Sequence, residues 1–136
     1  MERLVGIAKA ASERAYAPYS RFPVGVALLT REGKVYEGAN VENASYSLTI
    51  CAERVAMGSA VGEGSRDFAL LVLYTPTPHP TLPCGACRQF MAEFSPELEI
   101  LVVYEGGRFE TNLGSLFPQP FELDEELSRP SDREET

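Results

Sequence analysis

The sequence has no tryptophan, one histidine and three cysteines in 136 residues. An odd number of cysteines cannot pair completely within the chain, so a disulfide framework is excluded as the organising principle. No segment approaches the ~20 consecutive apolar residues that a membrane span requires. Glu2 and Arg3 precede a helical pattern that reads as neither an apolar signal core nor a small-residue cleavage site. The expected location is therefore the cytoplasm, with no membrane partner. A basic excess is also lacking. Twelve Lys and Arg face twenty Asp and Glu, for a net charge of −8. That balance opposes binding to nucleic acid, which needs a cationic surface.

What is there suits one globular domain. Hydrophobic residues make up 44% and charged residues 24%, enough apolar surface to fold without staples. The charge is uneven. Residues 122–136 hold seven acids and two arginines, a net of −5 of the chain's −8. We therefore expect a catalytic domain over residues 1–121 and a flexible acidic tail over 122–136.

Apolar spacing predicts an amphipathic helix over 3–17, ended by Pro18. A hairpin follows, with strands near 24–30 and 34–42 around Glu32-Gly33. A small-residue helix starts near Cys51 and ends at Gly62 and Gly64. Residues 68–74 and 99–104 are continuous apolar runs, as expected of central strands covered on both faces. Between them lie a loop with four prolines (Pro76, Pro78, Pro80, Pro83) and a helix from about Gly85 to Phe94. A short strand and a helical turn close the pattern near Phe117. Strand–helix–strand units imply an α/β fold, a sheet with parallel pairs and helices on both faces.

All three cysteines fall in two short motifs, Cys51-Ala52-Glu53-Arg54 and Pro83-Cys84-Gly85-Ala86-Cys87-Arg88-Gln89. Each motif lies at the expected start of a helix. The Cys84–Cys87 spacing places two thiols on one helical turn. If both helix starts face one point, Cys51 joins them. Three thiolates suit zinc and leave a fourth position open, the pattern of a catalytic site. His79, the only histidine, could instead close the site as a structural Cys3His knot in a non-enzymatic module. Glu53 weighs against that. A carboxylate two residues after a ligand can take a proton from a water activated by the metal and return it to a substrate atom. An ordinary first-turn Glu would serve only the helix dipole. A divalent ion with three thiolates is still net negative, so something must draw charge off the sulfurs. Helix N-termini and Arg54 are the candidates, with Arg88 less well placed.

Together with Ala17-Pro18-Tyr19-Ser20-Arg21-Phe22-Pro23-Val24-Gly25, Gly38-Ala39-Asn40-Val41-Glu42-Asn43-Ala44-Ser45-Tyr46 and Leu116-Phe117-Pro118-Gln119-Pro120-Phe121, these motifs resemble the small homotetrameric form of the zinc-dependent cytidine deaminase family. The resemblance covers about residues 1–121. It implies a three-layer α/β/α fold with a mixed five-stranded sheet. It implies one Zn2+ per subunit on Cys51, Cys84 and Cys87, with Glu53 as proton shuttle. Asn40 and Glu42 would bind the ribose hydroxyls, and Phe22 would stack near the pyrimidine. The Ala52 amide would hold the 2-oxo group. Tyr46 and Phe121 would reach a neighbouring subunit's site, making the homotetramer necessary for activity. The implied reaction is hydrolytic deamination of cytidine and 2′-deoxycytidine in pyrimidine salvage, with another cytosine nucleoside such as blasticidin S as the nearest alternative. On the expected strand, Asn40 and Glu42 share a face. The Glu42 carboxylate would accept from a hydroxyl and repel a phosphate, which favours a free nucleoside. The proline-rich loop and the acidic tail depart from the family pattern.

Overall fold

The computed structural model describes residues 1–123. The expected tail, from residue 124 onward, lies outside the described residues. Helix α1 (Glu2–Ser12) precedes a hairpin of β1 (Gly25–Thr30) and β2 (Val35–Ala39). Helix α2 (Ala52–Gly62), strand β3 (Phe68–Tyr74), helix α3 (Gly85–Ala92) and strand β4 (Glu99–Tyr104) follow. Strand β5 (Gly107–Asn112) and a short α4 (Leu113–Leu116) complete the order.

The five strands form one sheet in the order β2-β1-β3-β4-β5. Only β3 and β4 are parallel, and every other pair is antiparallel. This is the mixed sheet expected. The period of two sorts its side chains into two cores. Val26, Leu28, Leu71, Leu73, Ile100 and Val102 face α2 and α3. Ala27, Val72, Leu101 and Val103 face α1, where they meet Leu4, Val5 and Ala8. Strands β3 and β4 are thus covered on both sides, as their unbroken apolar runs require. Each fully buried Leu or Val contributes about 1.5–3 kcal/mol.

Two glycines let the helices sit close to the sheet. A Cβ on Gly25 would lie 2.0 Å from the Ala8 carbonyl oxygen of α1. A Cβ on Gly38 would lie 2.3 Å from the Ala52 oxygen and 2.7 Å from the Ala56 nitrogen of α2. Both contacts are with backbone, which cannot swing aside.

Two boundaries differ from the sequence expectation. Helix α1 stops at Ser12, not near residue 17. The Ser12 hydroxyl donates to the Lys9 carbonyl at 2.6 Å, a local bond that competes with the helix. The chain then leaves to pair elsewhere. Tyr16 N–H donates to Asn40 O at 2.9 Å, and Glu42 N–H donates to Tyr16 O at 2.8 Å. Strand β2 ends at Ala39, not near residue 42. Beyond it, Val41 bridges Tyr16 on one side and Ile50 on the other. In both places a long-range partner outweighs local propensity.

Gly25 pairs with both Ala39 and Tyr74. The start of β1 and the ends of β2 and β3 therefore share one end of the sheet, where the site lies. Gly38→Ala is expected to destabilise the protein by about 2–3 kcal/mol by pushing α2 off the sheet. Urea unfolding measures this, and a cost under about 0.5 kcal/mol would show that α2 is not seated through this contact.

Candidate metal centre

Both cysteine motifs open helices, as the sequence predicts. Cys51 is the N-cap of α2 and Cys84 the N-cap of α3, each with extended backbone and no side-chain cap. Cys87 lies in the first turn of α3 and is buried. Their three sulfur atoms all lie within 4.8 Å of one another. Cys51 Sγ and Cys84 Sγ are 3.8 Å apart. Sulfurs on a tetrahedral zinc, with Zn–S bonds of about 2.3 Å, stand about 3.8 Å apart. The donor set and its spacing therefore fit zinc. Both helices also direct their positive ends at this point.

The thiols do not titrate alike. Hydrogen bonding from the Cys87 thiol holds Cys51 down at about 5, with help from Arg54 and Cys84 and against the cost of burial. Cys87 is pushed up, first by its hydrogen bond to Cys51 and then by burial. Without metal, the cluster holds a thiolate on Cys51 and keeps a proton on Cys87. A divalent ion must displace that proton to bind.

Glu53 is 4% exposed. Burial raises its carboxyl to about 7, and the neighbouring Cys51 charge adds to the effect. A group poised there can both accept and donate a proton near neutral pH. Arg54 donates through Nη2 to Cys51 Sγ at 3.7 Å and to Thr49 O at 3.3 Å. Its Nε is buried with no hydrogen-bond partner among the described residues. The thiolate contact raises the guanidinium pKa. Arg88 has a different task. It donates to Pro83 O at 2.7 Å and to Leu116 O at 2.9 Å, tying the turn before Cys84 to α4. His79 is exposed and lies outside the sulfur cluster.

Cys51, Ala52, Glu53 and Cys84 line a cavity of about 330 Å³. That volume falls in the range of small-molecule sites. Phe22, Asn40 and Glu42 line it as well. The strand that was expected to align Asn40 with Glu42 has ended, but the bridges of Val41 preserve the alternation. Both polar residues face the cavity, and Val41 is exposed. Asn40 is 8% exposed. Its Oδ1 accepts from Val24 N–H at 2.9 Å, and its Nδ2 donates to Phe22 O at 2.9 Å. Glu42 accepts from Tyr19 N–H at 3.0 Å, Ser20 N–H at 3.1 Å and the Ser20 hydroxyl.

Tyr46 and Phe121 do not line this cavity. They are 72% and 69% exposed. Tyr46 packs edge-on against Tyr19. Phe121 is fixed through its backbone, which exchanges two hydrogen bonds with the Gln89 side chain of α3 at 2.9 and 3.0 Å. A larger groove of about 830 Å³ runs past Phe121 between the end of α3 and residues 120–123. It holds none of the sulfur ligands. Sequence reasoning gave no role to Ser20, Thr49, Thr81 or Leu82, which also line the cavity. The prolines around Thr81 and Leu82 announce a loop but not the wall it covers. Ser20 carried a faint signal, a hydroxyl two residues before Phe22 that can bond its amide.

The model of the family described as "Cytidine and deoxycytidylate deaminase zinc-binding region" matches residues 1–103. The chain is 46% identical over 123 residues to the cytidine deaminase of Sporosarcina psychrophila, covering 89% of this chain and 90% of that protein. It is 54% identical over 95 residues to the cytidine deaminase of Halalkalibacterium halodurans, covering 70% and 72%. The crystal structure of cytidine deaminase from Burkholderia pseudomallei superposes with a TM-score of 0.85 at 49% identity, over 88% of this chain and 98% of that one.

The hydrogen bond from the Ser20 hydroxyl holds the Glu42 carboxyl below its usual range against the opposing cost of burial, with help from the Ser20 and Tyr19 amides. A carboxyl with a depressed folded pKa contributes stability that is present above its unfolded pKa. That contribution is lost as pH falls through the folded value. Ser20→Ala is expected to move the Glu42 titration upward, as read by carboxyl-resolved NMR. A titration unmoved by the substitution would mean the hydroxyl does not hold the carboxylate in solution.

Proposed function

Because the chain belongs to the cytidine and deoxycytidylate deaminase family, we propose that it hydrolyses the C4 amino group of cytidine and 2′-deoxycytidine. The products are uridine, 2′-deoxyuridine and ammonia, a step in pyrimidine salvage. One observation carries this reading. A buried carboxyl poised near neutral pH stands beside three converging sulfurs in a nucleoside-sized cavity.

Cys51, Cys84 and Cys87 would hold one Zn2+ per chain. When bound, the ion supplies a water whose pKa is brought down to about 7. Glu53 would take a proton from the attacking water and deliver it to ring N3, which would make C4 electrophilic. Oxygen adds to C4. Glu53 would then carry a second proton from the new C4 hydroxyl to the amino group; the C4–N bond breaks, the C4 carbonyl forms, and ammonia leaves. Arg54 donates to the Cys51 sulfur, drawing charge from a ligand set that would otherwise leave the centre net negative.

Phe22 gives the pyrimidine an apolar face, and the Ala52 amide, at the uncapped start of α2, donates to the 2-oxo group. Asn40 and Glu42 take the ribose hydroxyls. The Glu42 charge and the acidic balance of the chain favour a free nucleoside over a nucleotide or a strand. The working form is a homotetramer in the cytoplasm, in which Tyr46 and Phe121 complete a neighbour's site. Their exposure supports this, as does that of Leu48 and of the bridged residues Tyr16, Val41 and Ile50.

Ultraviolet absorbance tests the reaction directly, because cytosine and uracil absorb differently. Zinc-loaded protein is expected to convert cytidine with release of ammonia. Turnover of blasticidin S with none of cytidine would move the assignment to that substrate, and inertness to both would reject deamination. Glu53→Ala is expected to keep its zinc and lose about 10²–10⁴-fold or more in turnover. Near-wild-type activity there would sink the mechanism. Arg54→Gln is expected to alter zinc affinity and to lower activity. If both are unchanged, Arg54 has no part in tuning the metal.

A further inference from the structure

Phe121 is held by its backbone and left bare at its ring. Its N–H donates to Gln89 Oε1 at 2.9 Å, and Gln89 Nε2 donates to its carbonyl at 3.0 Å. One side-chain amide thus does for Phe121 what a neighbouring strand would do in a sheet. The ring is 69% exposed and belongs to neither apolar core. Hydrogen bonds that fix a residue without burying its side chain add nothing to those cores. They set where the ring stands.

The segment needs this hold. Helix α4 ends at Leu116, and neither helix nor strand follows it among the described residues. Pro118 and Pro120 have no N–H to give. No backbone–backbone hydrogen bond reaches residues 118–123 among the described residues. The hold comes from α3 at both ends. Arg88 Nη1 donates to Leu116 O at 2.9 Å, at the root of the segment, and Gln89 grips Phe121 farther along. The same helix is capped by Cys84 and carries Cys87. Phe121 does not line the sulfur cavity of its own chain, so a fixed ring there has its use outside that chain.

We propose that Gln89 is a positioning residue that presents the Phe121 ring to the sulfur cavity of a second copy of this chain, with Arg88 fixing the root of the segment. The proposal rests on reading the cavity as a cytosine nucleoside site completed by a neighbour. It adds the residue that makes such a wall ready before the substrate arrives. Helix α3 then serves two cavities, its own through Cys84 and Cys87 and a neighbour's through Gln89.

Gln89→Leu keeps the bulk of the side chain and removes both hydrogen bonds. The ring then stands in place for only part of the time, and KM rises by the inverse of that fraction. Losing the pair is expected to raise KM for cytidine about tenfold. Bound substrate still selects the placed ring, so kcat is expected to stay within about twofold of wild type. Zinc content is expected to be unchanged. Phe121→Ala raises KM at least as much, and Gln89→Leu added to it has little further effect. An unchanged KM, full additivity, or a loss confined to kcat and zinc content would each overturn the proposal.

Hybrid oligomers show which chain is served. Gln89→Leu chains are co-expressed with an excess of Glu53→Ala chains. Every working cavity then belongs to a Gln89→Leu chain, while most of its neighbours carry an intact Gln89 and Phe121. KM is expected to return to the wild-type value. A KM that stays raised would mean that Gln89 acts on its own cavity, and would overturn the proposal.

Amide hydrogen exchange gives a readout besides activity. Phe121 N–H is expected to be protected in the wild type and to lose that protection in Gln89→Leu. Protection that survives the substitution overturns the proposal whatever the kinetics. If Gln89→Leu does not fold, the wild type decides, and a Phe121 N–H exchanging as fast as those of Glu122 and Leu123 overturns the proposal. Wild type inert to cytidine would sink the functional reading and this proposal together, whereas a raised KM in the hybrids sinks this proposal alone.

Discussion

Everything at this site depends on how closely α2 lies against the sheet. Gly38 has no side chain because the Ala52 carbonyl occupies the place where a Cβ would be. That contact fixes the first turn of α2, and the first turn carries Cys51, Ala52 and Glu53. Helix α3 brings the other two sulfurs to the same point from the far end of β3. A metal centre assembled from two helix starts tolerates little slack, since a few tenths of an ångström separate a tetrahedral set from a strained one. The small residues Ala52, Ala56 and Ala60, all fully buried, follow from the same need. Larger side chains would lift the helix and carry the ligands with it.

The electrostatics follow from that closeness. Three sulfurs and a carboxyl are crowded where water is scarce, so not all of them can carry charge together. The thiols respond by sharing protons, with Cys51 ionised and Cys87 protonated. Glu53 responds by rising toward neutrality. Arg54 balances this crowd, and it is shaped for that by its neighbours, with one nitrogen on the Thr49 carbonyl and the Cys51 sulfur. The burial that makes the ionised carboxyl costly also brings it into the range where it can shuttle protons. The same placement therefore suits both charge balance and proton transfer near neutral pH.

Much of this was legible in the sequence because it is local. Cysteines beside helix signals, a carboxyl two residues after a ligand, and unbroken apolar strands are patterns that neighbours in the chain create. What escaped is what long-range partners decide. Nothing around residue 13 shows that Tyr16 leaves the helix to pair with Asn40 and Glu42. Nothing in Asn40 itself shows that its amide is committed to Phe22 and Val24. Thr81 and Leu82 read only as members of a proline-rich loop. Nothing in the motifs around Tyr46 and Phe121 shows that the fold leaves both rings exposed, away from the sulfur cavity.

The contrast between Glu42 and Asn40 shows why residue type and spacing alone assign roles unevenly. Both stand beyond the end of β2, two apart, facing the cavity. Glu42 accepts three hydrogen bonds from the loop, yet a carboxylate has about four lone-pair sites and its charge reaches beyond its contacts. It can hold the loop and still discriminate a hydroxyl from a phosphate. Asn40 is neutral and more enclosed, and its amide is divided between two backbone groups. It holds the loop and keeps one N–H and one lone pair free of it. A strand would have given both residues the same backbone support and left their side chains equally free. Because the ladder stops at Ala39, both side chains instead brace the loop, Asn40 through its neutral amide and Glu42 through a charge that also reaches into the cavity.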